Sequence, residues 1–175
     1  MNAKQRREKI IALLTHAVST ITASQLADEF GVSRQIIVSD IAVLRAKNYD
    51  ITSTNRGYRL TKNIEQDTNL YKRKVAVQHT AEQTFSELHA IINAGGILYD
   101  IQIDHPIYGL ITAPLHIEHP SDINHFMEEM SHQKGELLSS LTNGVHIHTI
   151  GAKSPDHFAT IKAALDKLGI LVDKQ

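Results

Sequence analysis

The chain has no cysteine among its 175 residues, which removes disulfides, thiolate metal sites and cysteine nucleophiles together and fits a reducing compartment. Tryptophan is also absent and aromatics reach only 5%, so a core must be built from Ile, Leu, Val and Ala. No apolar run approaches the ~20 residues that a membrane-spanning helix needs. The basic opening MNAKQRREKIIALL has too short an apolar stretch for a signal peptide, and no small-residue cleavage site follows it. A soluble cytoplasmic protein with no membrane partner is the expectation. The 42% hydrophobic content is ordinary for a globular chain and argues against disorder.

The net charge of −1 conceals a division. Residues 1–60 carry nine basic and five acidic side chains, whereas the remainder carries nine and fourteen. Two modules with different partners are implied. Histidine follows the same boundary, since only His16 of the 11 histidines lies in the first 60 residues.

In the front module, Ile10, Ile11, Leu13 and Leu14 recur at helical spacing, predicting a helix over 3–17. Thr22-Ala23-Ser24 supplies capping chemistry for a second helix over 25–30, stopped at Gly31. Ser33 caps a third, over 34–47, with Ile37, Ile41 and Leu44 inward. Two short strands around an Asn55-Arg56-Gly57 tip then read as a wing. The run SQLADEFGVSRQIIVSDIAVLRAKNYDITSTNRGYRL resembles the winged helix-turn-helix at the front of biotin-ligase-type repressors. In that geometry the third helix enters the major groove of double-stranded DNA. Arg34, Gln35, Val38 and Ser39 lie off its core stripe and are the candidates for base edges. Arg56 and Arg59 in the wing, with Lys4, Arg6 and Arg7, are the candidates for phosphates. Such modules read inverted repeats as dimers, and residues 1–60 have no spare apolar face, so dimerisation is assigned to the rear.

The stretch 61–69 is polar and reads as a linker. Strand and helix patterns then alternate as βαββαβα, with a possible closing strand at Ile170-Leu171-Val172. Thr80 to Gln83 forms a capping box ahead of a helix with Phe85, Leu88, Ile91 and Ile92 inward. The expected fold class is α+β: a winged helix-turn-helix followed by an α/β sandwich regulatory domain with a mixed sheet.

His146-x-His148 lies on a strand, so both imidazoles point to one face, roughly 7 Å apart along the chain. Neutral imidazoles there suit zinc, nickel, copper or iron(II). A third ligand from His79 and a fourth from Glu87 is one possible completion; on a straight helix eight residues would separate them by ~12 Å. Glu82 with His89 is a rival pair with the same difficulty.

The stretch VQHTAEQTFSEL, the IDHPIYG strand-turn and the segment NGVHIHTIGAKSP together resemble the three-histidine domain of niacin-responsive, NiaR-type repressors. These regulate bacterial NAD synthesis and niacin uptake genes. The resemblance implies a winged-helix domain at 1–61 and a metal-binding, effector-binding and dimerising domain at 70–175. It also implies a homodimer with nicotinic acid as corepressor, and metal ligands at His79, Glu87, His146 and His148. Nickel, zinc and iron all suit that donor set. His105 and Tyr108, in the HPIYG turn, are candidates for touching the effector. A repressor that senses the metal itself is the alternative, and a metalloenzyme fused to a DNA-binding module is the less favoured one.

Overall fold

The computed structural model describes residues 1–61, 70–132 and 136–172. The chain forms two compact units, Met1–Thr68 and Asn69–Gln175. The linker expected over 61–69 lies, apart from Thr61, outside the described residues.

In the first unit, α1 (Ala3–His16), α2 (Ala23–Phe30) and α3 (Arg34–Ala46) precede the antiparallel strands β1 (Ile51–Thr54) and β2 (Gly57–Leu60). Local chemistry sets each boundary. Thr22 and Gln25 form a reciprocal capping box on α2, Gly31 ends it at φ 62, and Ser33 accepts the Ile36 N–H to start α3. Ile21 pairs with Tyr58, adding a bridge to the wing, and a Cβ on Gly57 would lie 2.5 Å from the Ile21 carbonyl oxygen. Glycine is therefore required there. Ile10, Leu14, Leu26, Ile37 and Ile41 are at most 1% exposed and form the centre of this core. Each such side chain contributes about 1.5–3 kcal/mol by leaving water.

One ion-pair cluster changes the reading of α1. Arg6 Nε donates to Asp40 Oδ2 at 2.5 Å and Arg7 to Asp40 Oδ1 at 3.1 Å. Asp40 is buried on the inner side of α3, so both arginines point inward to it. The assignment of Arg6 and Arg7 to phosphates is corrected: their guanidiniums fasten α1 to α3. Asp40→Ala would leave two half-buried guanidiniums without this carboxylate. It is expected to lower the stability of the first unit by about 2 kcal/mol, less than a fully buried pair because Arg7 keeps some water. A chemical melt of the full chain, followed by far-ultraviolet dichroism, checks this; an unchanged melt would show that the cluster contributes nothing.

The second unit contains β3 (Tyr71–Gln78), α4 (Thr84–Asn93), β4 (Ile97–His105), β5 (Gly109–Ile117), α5 (Pro120–His132), β6 (Val145–Ala152) and α6 (Pro155–Lys167). Short 3₁₀ turns, Ala81–Gln83 and Leu138–Thr142, precede α4 and β6. The strand order is β3-β6-β4-β5 and every pairing is antiparallel. The expected mixed sheet is corrected here. β3 and β4, joined through α4, run parallel to one another, but β6 slots between them and pairs antiparallel with both. The closing strand over 170–172 reduces to a bridge between Leu171 and Val77, flanked by two backbone hydrogen bonds to β3.

Leu88, Ile91 and Ile92 of α4, Ile123 of α5 and Ile161 and Leu165 of α6 bury one face of this sheet. Because the 3₁₀ turn delays α4 to Thr84, its inner stripe is Thr84, Glu87, Leu88 and Ile91, the i, i+3, i+4, i+7 pattern. Phe85 consequently faces outward, 44% exposed, and stacks on His89. Two polar residues, Thr84 and Glu87, are thereby turned into the interior.

Candidate functional site

Four side chains from three elements meet beneath α4. His146 and His148 sit on the core face of β6, opposite Val77 and Val75 of β3. His79 follows β3 directly and Glu87 comes down from α4. The Nε2 of His79 lies 2.6 Å from Glu87 Oε2, and that of His148 lies 3.2 Å from Oε1. His146 Nε2 is 3.5 Å from Oε1 and 3.1 Å from His148 Nε2. All four residues are buried. The sequence separation of His79 and Glu87 is bridged because His79 stands outside the helix, at the start of a turn that folds back on α4. The rival pair, Glu82 and His89, is exposed.

The orientation of each imidazole is set by its other nitrogen. Nδ1 of His79 donates to the Thr80 carbonyl at 2.7 Å, Nδ1 of His146 to Gly144 at 2.8 Å, and Nδ1 of His148 to Asp100 at 2.7 Å. A carbonyl only accepts, so each Nδ1 carries a proton; each Nε2 then donates to Glu87 when it too is protonated, and offers a lone pair to a cation when it is not. Backbone carbonyls behind ligating histidines fix tautomer and aim in this way. Gly144 serves twice: its φ is 84, and a Cβ there would lie 2.3 Å from the His79 carbonyl oxygen.

This packing requires positive charge at its centre. With both Nε2 atoms unprotonated, their lone pairs 3.1 Å apart would repel, and the buried Glu87 Oε1, 3.2 Å from His148 Nε2 and 3.5 Å from His146 Nε2, would face lone pairs alone. Without a metal the charge comes from protons. Burial disfavours the charged forms, yet Glu87 outweighs it and holds the pKa of both His79 and His148 above the ordinary histidine value. Glu87 is held well below the usual carboxylate range despite its burial, chiefly by the charge of His148 and then by hydrogen bonds to the three imidazoles. Among the described residues, donor atoms of His79, Glu87 and His146 lie within 4.8 Å of one another, the spacing of a metal set, with His148 adjoining. Three imidazoles and a carboxylate fit a borderline divalent cation such as zinc, nickel or iron(II).

The quartet forms the polar end of a cavity of about 190 Å³, whose walls include Leu88, Ile101, Ala113, Leu115 and Phe126. His105 and Tyr108 are not among its lining residues. Instead, His105 Nδ1 accepts the backbone N–H groups of Ile107 and Tyr108, both at 3.2 Å, and Tyr108 is 77% exposed at the tip of the β4–β5 hairpin. In this chain HPIYG serves as turn chemistry, away from the cavity beside the quartet.

In the first unit, Arg34, Gln35 and Ser39 are exposed along α3 and Val38 is half-buried. Lys4 and Arg56 are exposed on α1 and at the wing tip, and Arg59 is half-buried on β2. Ile36, absent from the expected contacts, stands 40% exposed beside Gln35 and offers an apolar surface for a thymine methyl.

A helix-turn-helix (HTH) domain family matches residues 6–59, and the 3H domain family matches 72–174. The transcription repressor NadR of Bacillus subtilis (strain 168) is 35% identical over 167 residues, 95% of this chain and 93% of the relative. The probable transcription repressor NiaR of Thermotoga maritima is 34% identical over 171 residues, 98% of this chain and 95% of the relative. The chain belongs to this NadR/NiaR family of transcription repressors. Membership places its HTH region on the first unit and its 3H region on the second, where the buried quartet and cavity lie. No helix among the described residues is long and apolar enough to cross a membrane.

Proposed function

We propose that this repressor binds an inverted-repeat operator as a homodimer, with nicotinic acid as corepressor in the cavity of the second unit and a divalent cation on His79, Glu87, His146 and His148. The observation that carries this reading is a buried donor set lining a largely apolar cavity, in a chain that also bears a helix-turn-helix domain. A cavity of about 150 Å³ accommodates benzene, so 190 Å³ suits a single aromatic ring with a small substituent. A divalent cation facing one carboxylate would leave net positive charge and a Lewis acid for the acid group. Nicotinamide, uncharged, is the weaker partner. The dimer is assigned to the second unit on the family resemblance.

Nicotinate acts as a corepressor only by preferring the operator-competent arrangement. Melting the full chain with nicotinate or nicotinamide, with and without chelator, tests binding. A nicotinate shift abolished by chelation is the expected result; none with metal present would refute the niacin reading. Operator binding that strengthens with metal alone would favour metal sensing, which the four-donor set also suits. For the DNA surface, Gln35→Ala is expected to weaken specific binding about tenfold with little effect on non-specific binding. Arg56→Ala is expected to weaken both and flatten the salt dependence. Mobility shifts at several salt concentrations distinguish them, and equal losses would overturn these roles.

A further inference from the structure

Beyond the donor set the cavity is lined by three polar side chains, Thr84, Glu136 and Ser139, and Thr84 stands apart from the other two. Thr84 lines it, is only 6% exposed, and its hydroxyl has no hydrogen-bond partner. A helical threonine ordinarily returns its hydroxyl to the carbonyl four residues back. Here that carbonyl belongs to Thr80 and already accepts His79 Nδ1 at 2.7 Å and the Gln83 N–H at 3.0 Å. Both lone pairs are engaged, one of them in aiming a donor of the metal set. The same turn that orients His79 thus leaves the Thr84 hydroxyl unclaimed. An unpaired buried hydroxyl costs about 1–3 kcal/mol, so its persistence beside a ligand-sized cavity points to a partner that arrives with the ligand.

Position determines which part of the ligand it meets. Thr84 and Glu87 stand three residues apart on the inner stripe of α4, their Cβ atoms about 5–6 Å apart, so the hydroxyl flanks the polar end of the cavity. We infer that Thr84 Oγ1 donates a hydrogen bond to the carboxylate of a small aromatic monocarboxylate whose other oxygen meets the cation, making Thr84 a specificity residue of the effector site. This rests on the metal-and-nicotinate reading. The hydroxyl and the cation together would engage both oxygens and orient the ring toward Leu88 and Phe126, which line the apolar part.

The test is calorimetric titration of nicotinate into the metal-loaded full chain, wild type against Thr84→Val and Thr84→Ser. Valine keeps the shape and removes the hydroxyl. It is expected to weaken nicotinate binding at least tenfold. Metal affinity should remain unchanged, and the ligand-free melting temperature should stay level or rise, because an unsatisfied group has been removed. Thr84→Ser should retain most of the affinity. Wild-type affinity in Thr84→Val, or a lower ligand-free melting temperature in that variant, would overturn the inference and assign the hydroxyl a structural role. A wild-type chain that binds metal but no nicotinate would instead overturn the effector reading, and this inference with it.

Discussion

A chain carrying His146→Ala together with His148→Ala is expected to lose metal binding and the nicotinate response together, while its first unit still melts as in the wild type. The two imidazoles supply half of the buried donors, and their Nε2 atoms lie only 3.1 Å apart. Loss of one supporting partner behind a ligand typically costs about 10–100-fold in metal affinity, so loss of two ligands should exceed 10²-fold. The residues of the HTH match lie in the other compact unit, so non-specific DNA binding should persist. Alanine at two core-facing strand positions also leaves a cavity, and Glu87→Gln controls for that. It keeps shape and hydrogen bonding but removes the negative charge that holds the imidazoles together, and should itself impair metal binding. His89→Ala, altering an exposed histidine stacked on Phe85, should change nothing. Retention of the nicotinate response in both the double variant and Glu87→Gln would sink the metal-site proposal.

How much of this was legible in the sequence differs between the units, for physical reasons. The front module is written locally. Thr22 with Gln25, Gly31 and Ser33 each fix a helix boundary through neighbours three or four residues away, so helices and turn follow from short-range chemistry. What it concealed was the Arg6–Asp40 ion pair, which joins residues 34 positions apart and turned two expected phosphate contacts inward. In the rear unit, helices and strands were legible from periodicity, but sheet order was not. Insertion of β6 between β3 and β4 is a long-range pairing that leaves no local trace. The donor set lies between these cases. His146 and His148 declare themselves by alternation on one strand. His79 and Glu87 came from the family resemblance, because their spacing argued against them on a straight helix. The 3₁₀ turn that reconciles the pair also shifts the inner stripe of α4, so periodicity alone puts Phe85 inside and leaves Thr84 out.

Metal affinity is expected to fall steeply as pH drops, with protons released on binding. Ligating imidazoles must be neutral, while in the metal-free site Glu87 holds the pKa of His79 and His148 above the ordinary histidine value. Competition therefore begins at a higher pH than for free histidine. Each proton displaced should lower affinity about tenfold per pH unit below that point. The stability consequences have opposite signs in the two states. Raised histidine pKa values stabilise the metal-free fold fully below the ordinary value of 6.5 and lose that contribution as pH rises through the folded values. The lowered Glu87 pKa contributes stability above the ordinary value of 4.5 and loses it as pH falls through the folded value, well below that. Above 6.5 the metal-free protein should soften as pH rises through the raised histidine values, while the metal-loaded protein is freed of proton competition, so the metal-induced melting shift should widen as pH rises across that range. Calorimetric titrations in buffers of different ionisation enthalpy count the protons released, and melts at each pH measure the widening. A metal affinity flat across that range, with no proton release, would mean that the cation does not displace protons from these imidazoles and is held elsewhere.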